Sequence, residues 1–347
     1  MTEKSEYHKY SFVQKVWIVG SIFALIAVIL LLFKATFNVF ILILAGSLIA
    51  IFFRGLSSLI RKKTNWKSGL TLTISIIGTF LIIAAIFWLI GAKVQSQISQ
   101  LSDTLPATVQ NAKDYLNNST IGQEITTKFS EARSQGKITK FFTSFFKTTF
   151  GVIGDIYIIL LIGVFFTVSP WLYTSGIKQL VPPGKRGKAD DVLNKLGNNL
   201  KKWVAGKLFS MLVVFILTAI GLVIIGVPMW LALALIAGML NFVPNFGPLI
   251  AMIPAVLVSL SVSPTTALIV AGLYIVVQMM ESNFITPKVQ QHLVKIPPAL
   301  IIISQVLVAT FTGLWGIIFA TPLILIIMIL VQELYVKPMN KKAEVET

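Results

Sequence analysis

Residues 69–91 read GLTLTISIIGTFLIIAAIFWLIG, from Gly69 to Gly91, without one charged side chain. Crossing the hydrocarbon core of a bilayer takes about 20 consecutive apolar residues in a helix. A helix satisfies all its backbone amides internally, which lipid demands. The stretch therefore predicts a transmembrane helix, and similar runs lie on both sides. Val16–Phe33 and Ala35–Phe53 precede it, separated by Lys34 and a few polar residues. Gly151–Val168, interrupted by Asp155, and Leu208–Ile225 follow it.

Composition agrees. Of 347 residues, 56% are hydrophobic and 12% charged. Mean hydropathy is +0.85. A soluble domain carries about 25% charged residues, so lipid is the solvent this chain fits. The absence of cysteine excludes disulfides, thiolate metal sites and a cysteine nucleophile. With His8 and His292 as the only histidines, a histidine-rich metal site is excluded too. Net charge is +16. The lysines sit between apolar runs, with no basic stripe interleaved with aromatics, so nucleic acid is not an expected partner.

The loops carry a topology signal. Residues 54–68 hold Arg54, Arg61, Lys62, Lys63 and Lys67 without an acid, and residues 170–207 hold eight basic residues against Asp190 and Asp191. The tail adds Lys337, Lys341 and Lys342. Positive loops face the cytoplasm. A cytoplasmic N-terminus with Lys4, Lys9 and Lys15 then gives a chain crossing out, in, out, in through four helices. The first run is too long for a secretory signal and lacks a small-x-small cleavage site, so it reads as a retained span.

Residues 92–148 then lie outside. Val94, Ile98, Leu101 and Leu105 repeat at helical spacing, as do Ile121, Ile125 and Phe129, with Pro106 as a helix start between them. This predicts a small helical insert, more simply a packing cap than a binding module. Leu193, Leu196, Leu200 and Trp203, flanked by Lys195, Lys201, Lys202 and Lys207, predict a basic amphipathic helix lying on the cytoplasmic membrane face. The chain thus divides into residues 1–91 (three spans), 92–148 (insert), 149–207 (fourth span and basic segment), 208–336 (C-terminal core) and 337–347 (tail).

The C-terminal core is broken. Five apolar runs, Trp230–Phe242, Leu249–Leu260, Thr265–Met280, Ala299–Phe311 and Leu314–Val331, are punctuated by Pro244, Pro248, Pro254 and Pro264. Interrupted backbone at membrane depth survives only where protein or a water-filled cavity satisfies it. Two or more of these runs are therefore expected to be re-entrant or discontinuous. The expected fold is all-α: a polytopic bundle of about eight transmembrane helices, broken in its C-terminal half, with a small extramembrane insert.

No phosphate loop is present, since Gly206-Lys207 has Lys201 where a glycine is required, and neither H-E-x-x-H nor G-x-S-x-G occurs. An enzyme, an ATP-driven pump and a bound cofactor are not expected. Polar groups inside the membrane are the better lead, because they are costly there unless paired or hydrated. Asn241, Pro244, Asn245, Gly247 and Pro248 interrupt an apolar region and supply freed carbonyls and amides for a solute or ion, or else make a tight turn. Gln278, Glu281, Asn283 and Pro287 cluster at the end of another run, where Glu281 either pairs with Lys288 or lines a cavity. Asp155 reads as an acid favoured near a helix N-terminus or as a second pathway carboxylate. Gly313, Gly316 and Ala320, followed by Pro322, leave one face of the last run small, which suits close helix packing. His292 reads as a loop residue.

Three segments carry a family resemblance. Asn241-Phe242-Val243-Pro244-Asn245-Phe246-Gly247-Pro248 resembles the NFIPYxGP-like segment of the AI-2E family, the autoinducer-2 exporter-like permeases. Glu281-Ser282-Asn283-Phe284-Ile285-Thr286-Pro287 resembles that family's E-x-N-x-x-x-P segment, and Gly313 to Leu323 its closing G-x-x-G-x-x-x-A-x-P-L pattern. Order and spacing match as well, over roughly residues 10–337. The chain departs at Asn245-Phe246, where many members have a tyrosine and an aliphatic residue, and at Lys295-Ile296-Pro297, where a Leu-His-Pro-like element is common. The resemblance implies a multi-pass permease of a bacterial inner membrane with eight spans, assembled as a homo-oligomer. Some members are described as autoinducer-2 exporters and others as sodium/proton antiporters. Three functions follow as expectations: export of a small polar solute, exchange of a monovalent cation such as Na⁺ or Li⁺ for protons at Glu281, and a non-transporting scaffold working through the insert.

Overall fold

In a computed structural model, residues 12–117, 154–290 and 296–340 are described. They form helices and connecting turns. Helix α1 is Phe12–Thr64, α2 Ser68–Asn117, α3 Gly154–Val168 and α4 Pro170–Gln179. Then come α5 Arg186–Ile225, α6 Trp230–Leu240, α7 Phe246–Leu260 and α8 Pro264–Met280. A π-helical turn at Glu281–Ile285 leads into α9, Thr286–Gln290. Helices α10 Pro298–Thr312 and α11 Leu314–Val331 follow, and a second π turn at Gln332–Val336 ends the core. Among the described residues, six stretches are long and apolar enough to cross a membrane, or seven if α3 and α4 count as one span. The polytopic all-α fold is as expected.

Local chemistry sets the helix ends. Gly226 closes α5 in the left-handed conformation, at φ 79°. The Ser263 side chain accepts the Thr266 amide at 3.0 Å, and Pro264 opens α8. Pro170 and Pro298 open α4 and α10 in the same way. Gly313, at φ 59° and ψ −130°, makes the one-residue turn between α10 and α11. Its role is that turn, not a packing face. Gly316 does serve close approach: a Cβ there would stand 2.5 Å from the Val308 carbonyl oxygen. Ala320 is buried against α1, and Pro322 is buried inside α11.

Two hydrophobic cores share helix α5. The first gathers Ile41 and Leu48 of α1, Ile159 of α3, Leu200 and Trp203 of α5, and Phe319 and Leu325 of α11. Gly46 and Gly163 let α1 and α3 cross closely, since a Cβ on Gly163 would stand 2.8 Å from Ile49. The second core gathers Val214 and Leu222 of α5, Leu233 of α6, Ala255 and Val258 of α7, and Val270 and Tyr274 of α8, with Leu101 of α2.

Several expectations change. The runs Val16–Phe33 and Ala35–Phe53 are not a hairpin of two spans; they belong to one 53-residue helix. Nothing between Phe33 and Phe37 breaks a helix, and Lys34 is a good helix former. At 1.5 Å per residue α1 is about 80 Å long, with Phe12 and Thr64 at opposite ends. The reversal that would have returned both to one side is absent. Pro106 does not open a new helix, because α2 runs through it to Asn117. Residues 118–148 of the insert, with Ile121, Ile125 and Phe129, lie outside the described residues, as do His292 and Lys295.

The stripe Leu193–Trp203 does not lie on the membrane face. It is the first part of the 40-residue helix α5, and Leu200 and Trp203 are buried in the first core. Its lysines reach other helices instead. Lys201 Nζ donates to Ser58 Oγ at 2.7 Å. Lys195 pairs with Glu333, which also takes Lys337 at 2.7 Å.

The described start of residues 92–148 packs against α6. Val94 and Leu101 are buried, whereas Ile98 is exposed. Gln97, in register with Val94 and Leu101, accepts the Ala232 amide at 3.0 Å in the first turn of α6. Lys93 stands 5.2 Å from the Trp230 ring. An orphaned buried amide costs about 1–3 kcal/mol. Gln97→Leu, which orphans the Ala232 amide, should therefore lower the melting temperature of the detergent-solubilised protein, whereas Gln95→Leu on the exposed side should not.

Candidate functional site at the seam of two cores

Helices α6 and α7 have 11 and 15 residues. At 1.5 Å per residue they are about 17 and 22 Å long, short of the ~30 Å hydrocarbon core. They form a hairpin whose tip is Asn241–Asn245, at the proline-marked break between the runs Trp230–Phe242 and Leu249–Leu260. Leu240, before the tip, packs on the second core, and Phe242 packs on the first. The Phe242 ring meets Trp203 at 5.8 Å and Phe319 at 6.1 Å, edge-on to both. The tip thus stands at the seam between the cores.

The tip is over-determined. Asn245 sits at φ 66° and ψ −52°, a region that L residues seldom occupy. The Gly247 amide donates to the Val243 carbonyl at 3.0 Å, and the Phe246 amide to Pro244 at 2.8 Å. Gln305 of α10, fully buried, donates its Nε2 to the same Pro244 carbonyl at 3.0 Å. Among the described residues its Oε1 has no partner. Gln305→Leu removes that tie, worth about 1 kcal/mol. It is expected to lower the melting temperature by a few degrees and to loosen the tip, seen as faster deuterium uptake in residues 241–247.

A continuous polar chain leaves the tip. Asn241, 1% exposed, donates Nδ2 to Ser210 Oγ at 2.9 Å. Ser210 donates to Glu281 Oε1 at 2.7 Å. Thr286 donates to the same oxygen at 2.9 Å, and Gln278 reaches Oε2 at 3.5 Å. Glu281 is 6% exposed. It lies where α8 passes into the π turn, and π turns inside helices recur at functional sites. The extra residue of that turn brings Thr286, five residues on, back over the carboxylate. Lys207, one turn before Ser210, acts electrostatically on Glu281, but among the described residues no cation forms an ion pair with it. The carboxylate is held by neutral donors.

The candidate residues thus separate. Asn241, Gln278 and Glu281 come together, and Pro244 and Gly247 shape the tip beside them. Asn245, Asn283, Pro287 and Lys288 are exposed and outside the network, so Glu281 does not pair with Lys288. Pro248 sits in the first turn of α7. Asp155 takes another partner: the Trp315 indole donates to its Oδ2 at 2.6 Å, fastening α3 to the start of α11. Ser210, Thr286 and Gln305 were not singled out in the sequence. A lone serine or threonine in an apolar helix usually bonds its own backbone, as Ser259 does to Ala255. The signal available was Glu281 itself, which in a membrane must find donors somewhere.

Comparison with known proteins agrees with this architecture. The model of the family described as "AI-2E family transporter" matches residues 22–336. The "Putative transport protein YrrI" of Bacillus subtilis (strain 168) is 29% identical over 143 residues, covering 41% of this chain and 40% of that protein. The "Putative transport protein YueF" of the same organism is 26% identical over 236 residues, 66% of this chain and 62% of its own. The "Putative permease PerM" of Escherichia coli (strain K12) is 28% identical over 171 residues, 48% of each. The matches to these three span between 40% and 62% of the length of each relative. With most of its length matched by the family model, the chain belongs to the AI-2E transporter family.

Proposed function

We propose that the chain is a secondary permease of a bacterial plasma membrane that exports a small polar solute past the Asn241–Ser210–Glu281 network, without covalent chemistry. The observation carrying this reading is the buried carboxylate joined through Ser210 to Asn241 at the hairpin tip and hydrogen-bonded by neutral donors. Hydroxyl, amide and carboxylate groups there offer both donors and acceptors to a solute that sheds its water. Autoinducer-2 is the substrate that the family resemblance suggests. The test is efflux: cells expressing the chain should lower their internal autoinducer-2 faster than cells without it, and equal rates would reject that substrate. The basic end of the bundle, with Lys62, Lys195 and Lys337, is proposed to face the cytoplasm by the positive-inside rule.

A second reading is favoured by Glu281 alone. A buried carboxylate on which Lys207 acts only at a distance, with no ion pair to it among the described residues, suits alternate binding of a proton and Na⁺ or Li⁺. Everted vesicles should then show dequenching of a pH-sensitive dye on addition of either ion. Dequenching that survives Glu281→Gln would sink this assignment. A non-transporting scaffold has less support, because Gln97 and Leu101 of the insert serve packing.

A further inference from the structure

Helix α4 leaves the bundle. It turns 85° from α3 at Ser169, and none of its residues is buried. The bend is fixed by Arg54 of α1, whose Nε donates to the Thr167 carbonyl at 2.9 Å. At 100° per residue, Leu172, Tyr173, Ile177 and Leu180 fall on one arc, and Thr174, Ser175, Lys178 and Gln179 on the other, with the exposed Trp171 among them. The polar arc is turned to α5, since Lys178 pairs with Asp190. Tyr173 on the apolar arc meets the Phe166 ring of α3 at 4.3 Å, but the rest of that arc is uncovered among the described residues: Leu180 is 86% exposed, and Leu172 and Ile177 are exposed with it.

Charge surrounds this helix. Lys185, Arg186 and Lys188 follow it and are exposed. Arg61, Lys62, Lys63 and Lys67 are exposed at the same end of α1, which Arg54 ties to the bend. Among the described residues none of these seven enters an ion pair. The nearby acids are mostly spent, Asp190 on Lys178 and Glu333 on Lys195 and Lys337, which leaves Asp191. A short helix with an apolar arc, Trp171 and Tyr173, and uncompensated cations beside it has the chemistry of a segment lying in the interface plane of an anionic leaflet.

We propose that α4 lies in the membrane plane with its apolar arc among the acyl chains, and that Lys185, Arg186 and Lys188 bind anionic phospholipid headgroups. This stands independently of what the protein transports. The chain has no cysteine, so a single nitroxide at Leu180→Cys reports depth in the full-length protein. In vesicles containing phosphatidylglycerol the label should be open to oxygen and closed to a water-soluble nickel chelate. Access to the chelate would place the arc in water, and exclusion of both would place it under protein; either overturns the proposal. The cations are tested by native mass spectrometry of wild type and the triple variant Lys185→Gln, Arg186→Gln, Lys188→Gln. Each basic residue near an anionic surface contributes about fivefold to binding. Wild type should therefore retain phosphatidylglycerol over phosphatidylcholine, and the triple variant should lose about tenfold or more of that preference. An unchanged preference would overturn the headgroup assignment.

Discussion

Gly247→Ala is expected to abolish transport and to deplete the folded protein in the membrane. A Cβ at Gly247 would stand 2.6 Å from the Leu240 carbonyl carbon and closer still to its oxygen. Both atoms are backbone at the end of α6, so no side chain can swing away. The hairpin must open for the methyl to fit. Opening it pulls Asn241 from Ser210 and Pro244 from Gln305, bonds of 2.9 and 3.0 Å. Overpacking in a tight core costs about 1–3 kcal/mol, and more when backbone must move. Gly197→Ala, where a Cβ would meet nothing within 4 Å, is the control and should behave as wild type. Fluorescence-detected size-exclusion chromatography of the two variants makes the comparison. A monodisperse, active Gly247→Ala protein would show that the tip is not the tight turn described here.

Glu281→Gln should fold and lose most of its transport. An amide oxygen in the place of Oε1 still accepts from Ser210 and Thr286. The new amide nitrogen meets Gln278 Nε2, a mismatch at the longest bond of the set that a flip of the Gln278 amide relieves. Structure is kept while charge is lost. Hydrogen bonds to a charged group contribute about 1.5–3 kcal/mol, and each 1.4 kcal/mol is about tenfold. Flux in proteoliposomes should therefore drop by about ten- to a hundredfold, with the melting temperature changed by only a few degrees. Glu281→Leu should lower both, because three donors then lose their acceptor.

The membrane fold was legible in the sequence because lipid leaves few options. Charge-free runs such as Gly69–Gly91 have to be helical, and Pro244, Gly247 and Pro248, clustered within five residues, mark a break between two apolar runs. Glu281 was legible for the same reason. Long-range pairings were not. Ser210 looks like any serine in an apolar helix until Asn241 and Glu281 are brought to it by α6 and α8. The stripe Leu193–Trp203 has the composition of a surface helix, yet α11 and α1 cover Leu200 and Trp203. Lys34 reads as a boundary because charge at a junction resembles a loop, yet lysine does nothing to end a helix. The helix that does leave the bundle, α4, is marked by Pro170 and the 85° bend at Ser169, a feature of backbone direction that composition does not encode.

The polar chain from Asn241 to Glu281 is proposed to lie on the path of the solute. Ser210→Cys exchanges one oxygen for sulfur at the middle of that chain, in a protein with no other cysteine. Its alkylation by a water-soluble, membrane-impermeant maleimide is the measurement, made in everted vesicles with and without autoinducer-2, and again with Na⁺. Cys at this position should react, because the path opens to water during transport, and the transported species should slow the reaction. A position that stays unreactive under every condition, or reacts at the same rate whatever is added, would contradict that placement.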